Sequence, residues 1–303
     1  MSEARPREDR AAAGVLLMAL AVVGFTCIDS AAKWLILAGL PALQVVFARY
    51  AGHFIVAVAL YGTQEGRAAF VSNAPVRQLL RSAFLLGSTV CNFTALKFLP
   101  ITVTTTIMFA GPIVVTLLAI PILGEKVGIR RIVAVCVGFV GVLVVMQPWG
   151  VAFHPAMLLS LVALTMAALY FIMTRLLAGI EGNATQQIWS SGAATLALLP
   201  FVVVGWIWPT GSDWIAFCLI GIFGAAGHIA AVTAHRWADA SLLAPVIYIQ
   251  IFLAAIAGIL LFDTWPTIWT LGGGAIIIAS GLYIWQRERQ VRGSVRRPVP
   301  TTR

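Results

Sequence analysis

Charge is what this sequence has least of. Asp, Glu, Lys and Arg together make up 10% of its 303 residues, and acids are the rarer sign, with 11 Asp and Glu against 20 Lys and Arg. A water-soluble domain of this length carries about 25% charged residues on average, so a soluble fold is excluded. Cysteine is sparse as well. Cys27, Cys91, Cys136 and Cys218 each stand alone within an apolar stretch. With no C-x-x-C pair and no Cys/His cluster, zinc binding and dithiol redox chemistry drop out, and the four read as small buried hydrophobes. No G-x-x-x-x-G-K-[ST] loop occurs, so ATP does not drive this chain directly, and no H-E-x-x-H occurs either. No span is rich enough in Arg to serve as a voltage sensor. An intramembrane enzyme needs a nucleophile within reach of a base, and His53 and His228 have no evident Cys or acid beside them. Neither metal nor cofactor is expected.

What fills the chain is hydrocarbon: 60% of its residues are hydrophobic. They fall into runs of roughly 20, the length a helix needs to cross a bilayer core. The spans are expected at 12–36, 42–62, 79–97, 101–123, 129–147, 155–176, 186–208, 212–235, 241–262 and 266–286. No water reaches the hydrocarbon to satisfy backbone groups, so each must be a helix. The fold class is therefore all-α integral membrane protein with ten transmembrane helices.

The basic residues set the orientation. With the N-terminus inside, one side receives Arg5, Arg7 and Arg10, then Arg67, Arg77 and Arg81, then Lys126, Arg130 and Arg131. It also receives Arg175, Arg236 and the tail arginines from Arg287 to Arg303, whereas the other side receives Lys97. By the positive-inside rule both termini are cytoplasmic, which requires an even number of spans. The net charge of +9 is then a topology signal plus attraction to anionic headgroups, and no nucleic-acid partner is implied. The basic start followed by an apolar run lacks a persuasive cleavage site and reads as an uncleaved first span.

Two stretches about 139 residues apart echo one another. Ala95-Leu96-Lys97-Phe98 matches Ala234-His235-Arg236-Trp237 as Ala-x-basic-aromatic, and Leu123-Gly124-Glu125 is echoed by Leu261-Phe262-Asp263. Gly-rich spans follow in each half, with Gly138 and Gly141, then Gly272 to Gly274 and Gly281. Lys33 and Arg175 stand late in the first span of each half. The expected plan is a cytoplasmic tail at 1–11, one five-helix repeat at 12–147, a second at 155–286 and a basic cytoplasmic tail at 287–303. Five spans is an odd number, so the copies are inverted, an arrangement that puts a transporter's substrate site near the midplane between them.

On these residues the chain resembles the drug/metabolite transporter superfamily in its ten-span, EamA-type branch. The resemblance covers essentially all of 12–286. It rests on Lys33, on Phe47-Ala48-Arg49-Tyr50, on Leu123-Gly124-Glu125-Lys126 and on ASLLAPVIYIQIFLAAIAGILLFDTWP at 240–266. Asp263 departs from the pattern, since the family usually carries Glu after a Gly there. The resemblance implies a secondary transporter working by alternating access in a bacterial inner membrane, with a small-molecule substrate and the lipid bilayer as its partners. A homodimer is compatible with it.

Ionisable groups at membrane depth are costly and mark functional positions by default. Asp29 and Arg49 each lie about seven residues, or roughly 10 Å, from the outer end of their spans. They are expected to form a fixed pair, to line the outer vestibule and gate or contact substrate, or to serve as a proton site with Asp29 as the carrier. Lys33 is expected to snorkel to the outer surface, Glu125 to fix the cytoplasmic turn EKVGIRR, and His228 to be either a packing or a cavity histidine. The further substrate-binding or gating candidates are Asn92, Phe93, Phe109, Tyr170, Trp189, Tyr248 and Gln250. A helix kink is expected at Pro112, after Thr104, Thr105 and Thr106. Aromatic walls with a few amides and hydroxyls suit riboflavin, a flat neutral ring system. S-adenosylmethionine, a sulfonium cation, needs a carboxylate or aromatic cage, which Asp29 supplies only if Arg49 does not neutralise it. The Asp29/Lys33 pattern, the Phe-Ala-Arg-Tyr run and the 240–266 stretch look most like the uptake subgroup for these two compounds. Amino-acid or drug efflux is the remaining alternative.

Overall fold

The computed structural model describes residues 8–124, 128–238 and 240–295 of the chain; Glu125 and Lys126 fall outside them. Among the described residues there is no β-strand. The helices that build the bundle are α1 (Glu8–Leu37), α2 (Ala42–Ala57), α3 (Pro75–Leu96), α4 (Ile101–Met108), α5 (Gly111–Leu123) and α6 (Ile129–Met146). In the second half they are α7 (Ala156–Leu176), α8 (Asn183–Val204), α9 (Asp213–Trp237), α10 (Ala240–Ile247), α11 (Ile249–Phe262) and α12 (Ile268–Val295). Nine described helical segments are long and apolar enough to cross a membrane, counting α4 and α5 as one, and the tenth crossing is the pair α10 and α11.

Ends shift from the sequence expectation where local chemistry intervenes. Pro75 occupies the first turn of α3 and starts it four residues early, because a helix N-terminus has no use for the missing N–H. Past Ala57 the second span continues as a π turn, Val58–Gly62. The last helix runs to Val295, well beyond the apolar run. Hydrophobicity ends there, but Gln, Arg and Glu are good helix formers and water can satisfy the outer turns.

The two halves pack on each other in matching pairs. α1 lies along α9, and its counterpart α7 lies along α3. α2 packs on α9 as α8 packs on α3, and α6 packs on its own counterpart α12. Membrane helices draw together through small residues that let backbones approach. A methyl built on Gly52 of α2 would fall 2.8 Å from the Gly221 Cα of α9, and one on Gly141 of α6 would fall 2.9 Å from the Gly273 carbonyl of α12. The Gly-rich spans are thus the seam between α6 and α12.

The echo at the end of the fourth and ninth spans has a conformational basis different from the one its letters imply. Gly124 caps α5 with φ +66°, and Asp263 caps α11 with φ +50°. Both are left-handed C-caps, and Asp is one of the few non-Gly residues that tolerate this region. Asp263 is therefore the counterpart of Gly124, not of Glu125.

Candidate substrate site

The fourth and ninth spans are both broken part-way along. Pro112 lacks an N–H and its ring crowds the preceding turn, so α4 ends at Met108 and α5 starts afresh at Gly111. The kink expected at Pro112 takes the form of a two-residue turn at Phe109 and Ala110. In the ninth span Pro245 precedes a second break at Tyr248, between α10 and α11. Phe109 and Tyr248 occupy the two breaks and meet edge to face, ring centroids 5.3 Å apart at 69°. The Tyr248 hydroxyl sits against Gly281 of α12, where any side chain would collide with it. On α4, the turn before the break carries Thr105, whose buried hydroxyl has no partner, as has that of Thr102.

Elsewhere in the bundle α2, α3 and α9 meet in a polar knot around Arg49. Its guanidinium donates from Nη1 to Thr89 Oγ1 of α3 at 2.8 Å and from Nη2 to His228 Nε2 of α9 at 3.2 Å. It also stacks over Tyr50 at 4.8 Å and approaches the Phe93 ring at 6.0 Å. The Tyr50 hydroxyl shares Thr89 at 2.8 Å. His53, one turn along α2, stacks on His228 at 5.6 Å, and Phe25 of α1 meets His228 edge-on at 5.3 Å. His228 is thus part of the knot, accepting a hydrogen bond from Arg49.

Asp29 and Arg49 do not form the direct pair that their similar depth allows. Asp29 takes a hydrogen bond from Asn92 Nδ2 at 3.3 Å, while Arg49 gives its own to Thr89 and His228. Asp29 and Asn92 are half-buried and face one another across α1 and α3. Lys33 is a second correction. It is 6% exposed rather than snorkelling, and Nζ donates to the carbonyls of Leu96 at 3.1 Å and Leu99 at 2.5 Å. Those are orphan carbonyls at the end of α3, where a cation also meets the negative end of the helix dipole. Its ammonium lies 5.5 Å from the Phe262 ring of α11, tying the two halves together.

Arg81 was read from sequence as one of the cytoplasmic topology charges; it is 3% exposed. Nε donates to Thr174 Oγ1 at 2.8 Å, Nη1 to Ser190 Oγ at 2.6 Å and to the Gln186 carbonyl at 3.2 Å. Nη2 donates to the Tyr170 hydroxyl at 2.8 Å, and the guanidinium stacks on that ring at 4.5 Å. One signal was available: the helix it opens begins at Pro75, which places Arg81 six residues, or about 9 Å, inside the span. Tyr170 belongs to this second knot. Trp189 stands apart from both, its indole donating to the Phe70 carbonyl at 3.0 Å near the end of the second span's extension. Gln250 is half-buried, two residues past the Tyr248 break. Among the described residues no three His, Cys, Asp or Glu side chains converge as metal ligands would.

Two interrupted spans meeting between paired halves, with buried polar knots elsewhere in the bundle, is a transporter's arrangement, and the sequence profile of the EamA-like transporter family matches residues 12–147 and again 154–285. The chain belongs to that family. This EamA-like transporter is 27% identical to a riboflavin transporter of Rhizobium johnstonii over 92% of its own length and 93% of the relative's. It is 28% identical to a riboflavin transporter of Vibrio cholerae over 91% and 93%. An S-adenosylmethionine uptake transporter of Rickettsia prowazekii matches at 26% over 84% and 86%. A crystal structure of another protein, 17% identical, has the same fold, with a TM-score of 0.61 over 90% of this chain and 98% of that one. The family and these relatives are transporters, not enzymes, and they imply a small-molecule substrate and a multi-pass place in the membrane.

Proposed function

We propose that this EamA-like transporter imports riboflavin across a bacterial inner membrane by alternating access, as a secondary transporter with both termini cytoplasmic and no chemical change to its cargo. The observation that carries the reading is the Phe109–Tyr248 contact, which joins the two helix breaks where the halves cross. Interrupted helices are tolerated at membrane depth where they are buried in protein or line a water-filled cavity, and in transporters they form the substrate site. The flat isoalloxazine ring suits aromatic faces, which Phe109 and Tyr248 offer at the breaks and Tyr50 and Phe93 offer around Arg49, while Asn92 and Thr105 offer polar groups to the ribityl chain.

The repeats at 12–147 and 155–286 supply the mechanism. The Arg49 knot ties α2 to α3 and α9 about 10 Å from the outer end of its span, and the Arg81 knot ties α3 to α7 and α8 about 9 Å from the inner end. Each closes one side; loosening one while the other holds opens the path alternately. Lys33 and Phe262 reinforce the outer closure. One chain contains the whole path, so a homodimer would carry two paths side by side.

A second reading is S-adenosylmethionine uptake, favoured by Asp29. Because its hydrogen bond comes from Asn92 rather than Arg49, its carboxylate is free of a direct cationic contact and suits a sulfonium. The test is uptake of radiolabelled riboflavin by a riboflavin-auxotrophic bacterium lacking its own importer. Saturable accumulation of intact vitamin, competed by unlabelled riboflavin, is the expected result. No uptake by protein shown to be in the membrane would reject riboflavin and turn the assay to S-adenosylmethionine.

A further inference from the structure

Arg49 is a buried cation whose hydrogen bonding is unfinished. Nη1 and Nη2 each donate once, to Thr89 and His228, but the enclosed Nε has no partner. One turn along the same helix the enclosed Nε2 of His53 has none either. Arg49 is 7% exposed and His53 3%. Buried polar atoms are nearly always satisfied, because each gives up its water on burial and must recover a bond. Two orphans on one helical turn, in a knot that joins the two halves, fit a partner that arrives and leaves with each cycle.

The shape of the orphaned edge narrows that partner. Nε–H and the second Nη–H of a guanidinium form a planar fork of parallel donors, which matches two adjacent acceptor atoms in one plane. A carboxylate presents such a pair; so does a carbonyl beside a ring nitrogen, as when Arg reads the O6 and N7 edge of guanine. Asp29 does not fill this role, because its hydrogen bond runs to Asn92. The guanidinium is flanked by the Tyr50 and Phe93 rings, at 4.8 Å and 6.0 Å, so a flat ligand would find faces to lie against.

We infer that Arg49, with His53 beside it, binds the substrate through a planar pair of adjacent acceptors. The inference rests on the transport reading above, where this pair is a carbonyl and its neighbouring ring nitrogen on the pyrimidine side of the riboflavin ring. Lys at this position keeps the charge and loses the fork.

The experiment measures binding of riboflavin and of lumiflavin, which has the ring without the ribityl chain, to the purified protein by flavin fluorescence. Wild type and Arg49→Lys are compared, with melting curves showing that both are folded. Loss of affinity by about tenfold or more, equal for the two flavins, is expected, since the lost contact is to the ring. Undiminished binding by folded Arg49→Lys overturns the inference and leaves the vitamin reading standing. Should that variant fail to fold, infrared difference spectra of wild type decide. A ring carbonyl stretch lowered below its value in water supports the charge-assisted bond, and unlowered stretches overturn it. Wild type that binds neither flavin rejects the vitamin reading, and S-adenosylmethionine, whose carboxylate offers the same acceptor pair, becomes the probe. A tenfold loss in Arg49→Lys then sustains the inference, and no loss, or no binding, overturns it.

Discussion

Phe109 and Tyr248, 139 residues apart in sequence, meet edge to face with ring centroids 5.3 Å apart. Each is the residue at which a membrane helix stops and restarts. The contact brings the two breaks together.

Removing either ring should weaken transport. Tyr248→Ala or Phe109→Ala is expected to lower uptake about tenfold, the worth of an aromatic contact plus the ligand surface it offers, whereas Tyr248→Phe should stay within about twofold. Initial rates of labelled substrate uptake, normalised to membrane protein, measure this.

Gly281 gives that test a partner. Its Cβ would strike the Tyr248 hydroxyl, so Gly281→Ala alone should impair uptake and melting. Tyr248→Phe removes the offending oxygen and should restore most of the loss in the double variant. A double-mutant cycle reads the coupling, expected at about 1 kcal/mol or more; additive effects would separate the two residues.

Lys33 predicts a stability effect. Lys33→Met leaves the Leu96 and Leu99 carbonyls without their donor, at a cost of about 1–3 kcal/mol. Thermal melting in detergent should fall by several degrees, with the apparent KM of surviving protein unchanged because the side chain sits at the end of α3.

Asp29 separates the two substrate readings. Asp29→Asn keeps an oxygen to accept from Asn92, so the fold should survive. Riboflavin uptake is expected to remain within about threefold, while S-adenosylmethionine uptake, if present, should collapse with the lost charge. Unchanged dependence on external pH in this variant would also reject Asp29 as a proton carrier.

Arg81 should govern rate rather than affinity. Arg81→Lys keeps a cation but loses the fork that holds Thr174, Ser190 and Tyr170 together. A fall of about tenfold in maximal uptake with little change in KM is the expected pattern for a loosened inner closure.

The spans were legible because hydrocarbon crossing demands long apolar runs, and among the described residues nine stand as membrane-length helical segments, with α10 and α11 filling the ninth expected span. The broken fourth helix was legible through Pro112. The break at Tyr248 was less so, since it falls three residues beyond Pro245. Side-chain partners were poorly legible at depth. Asp29 and Arg49 share a level, yet level says nothing of direction around a helix, and their hydrogen bonds run to Asn92 and to Thr89 and His228. Arg81 was hidden by its place near other cytoplasmic arginines; Arg77, one turn earlier, is exposed. Lys33 was misplaced because snorkelling is the usual fate of a lysine near a span end, and the open carbonyls of α3 offered a nearer solution. The likeness of Asp263 to Glu125 was one of letters, whereas φ at Gly124 and Asp263 shows the true correspondence.

The central claim is met most directly by counterflow. Purified protein is reconstituted into liposomes loaded with unlabelled riboflavin, and labelled riboflavin is added outside with no other gradient. Transient accumulation of label above equilibrium, saturable and absent from protein-free vesicles, is what an alternating-access riboflavin carrier must produce. Simple equilibration without overshoot, or no entry at all, would contradict the account.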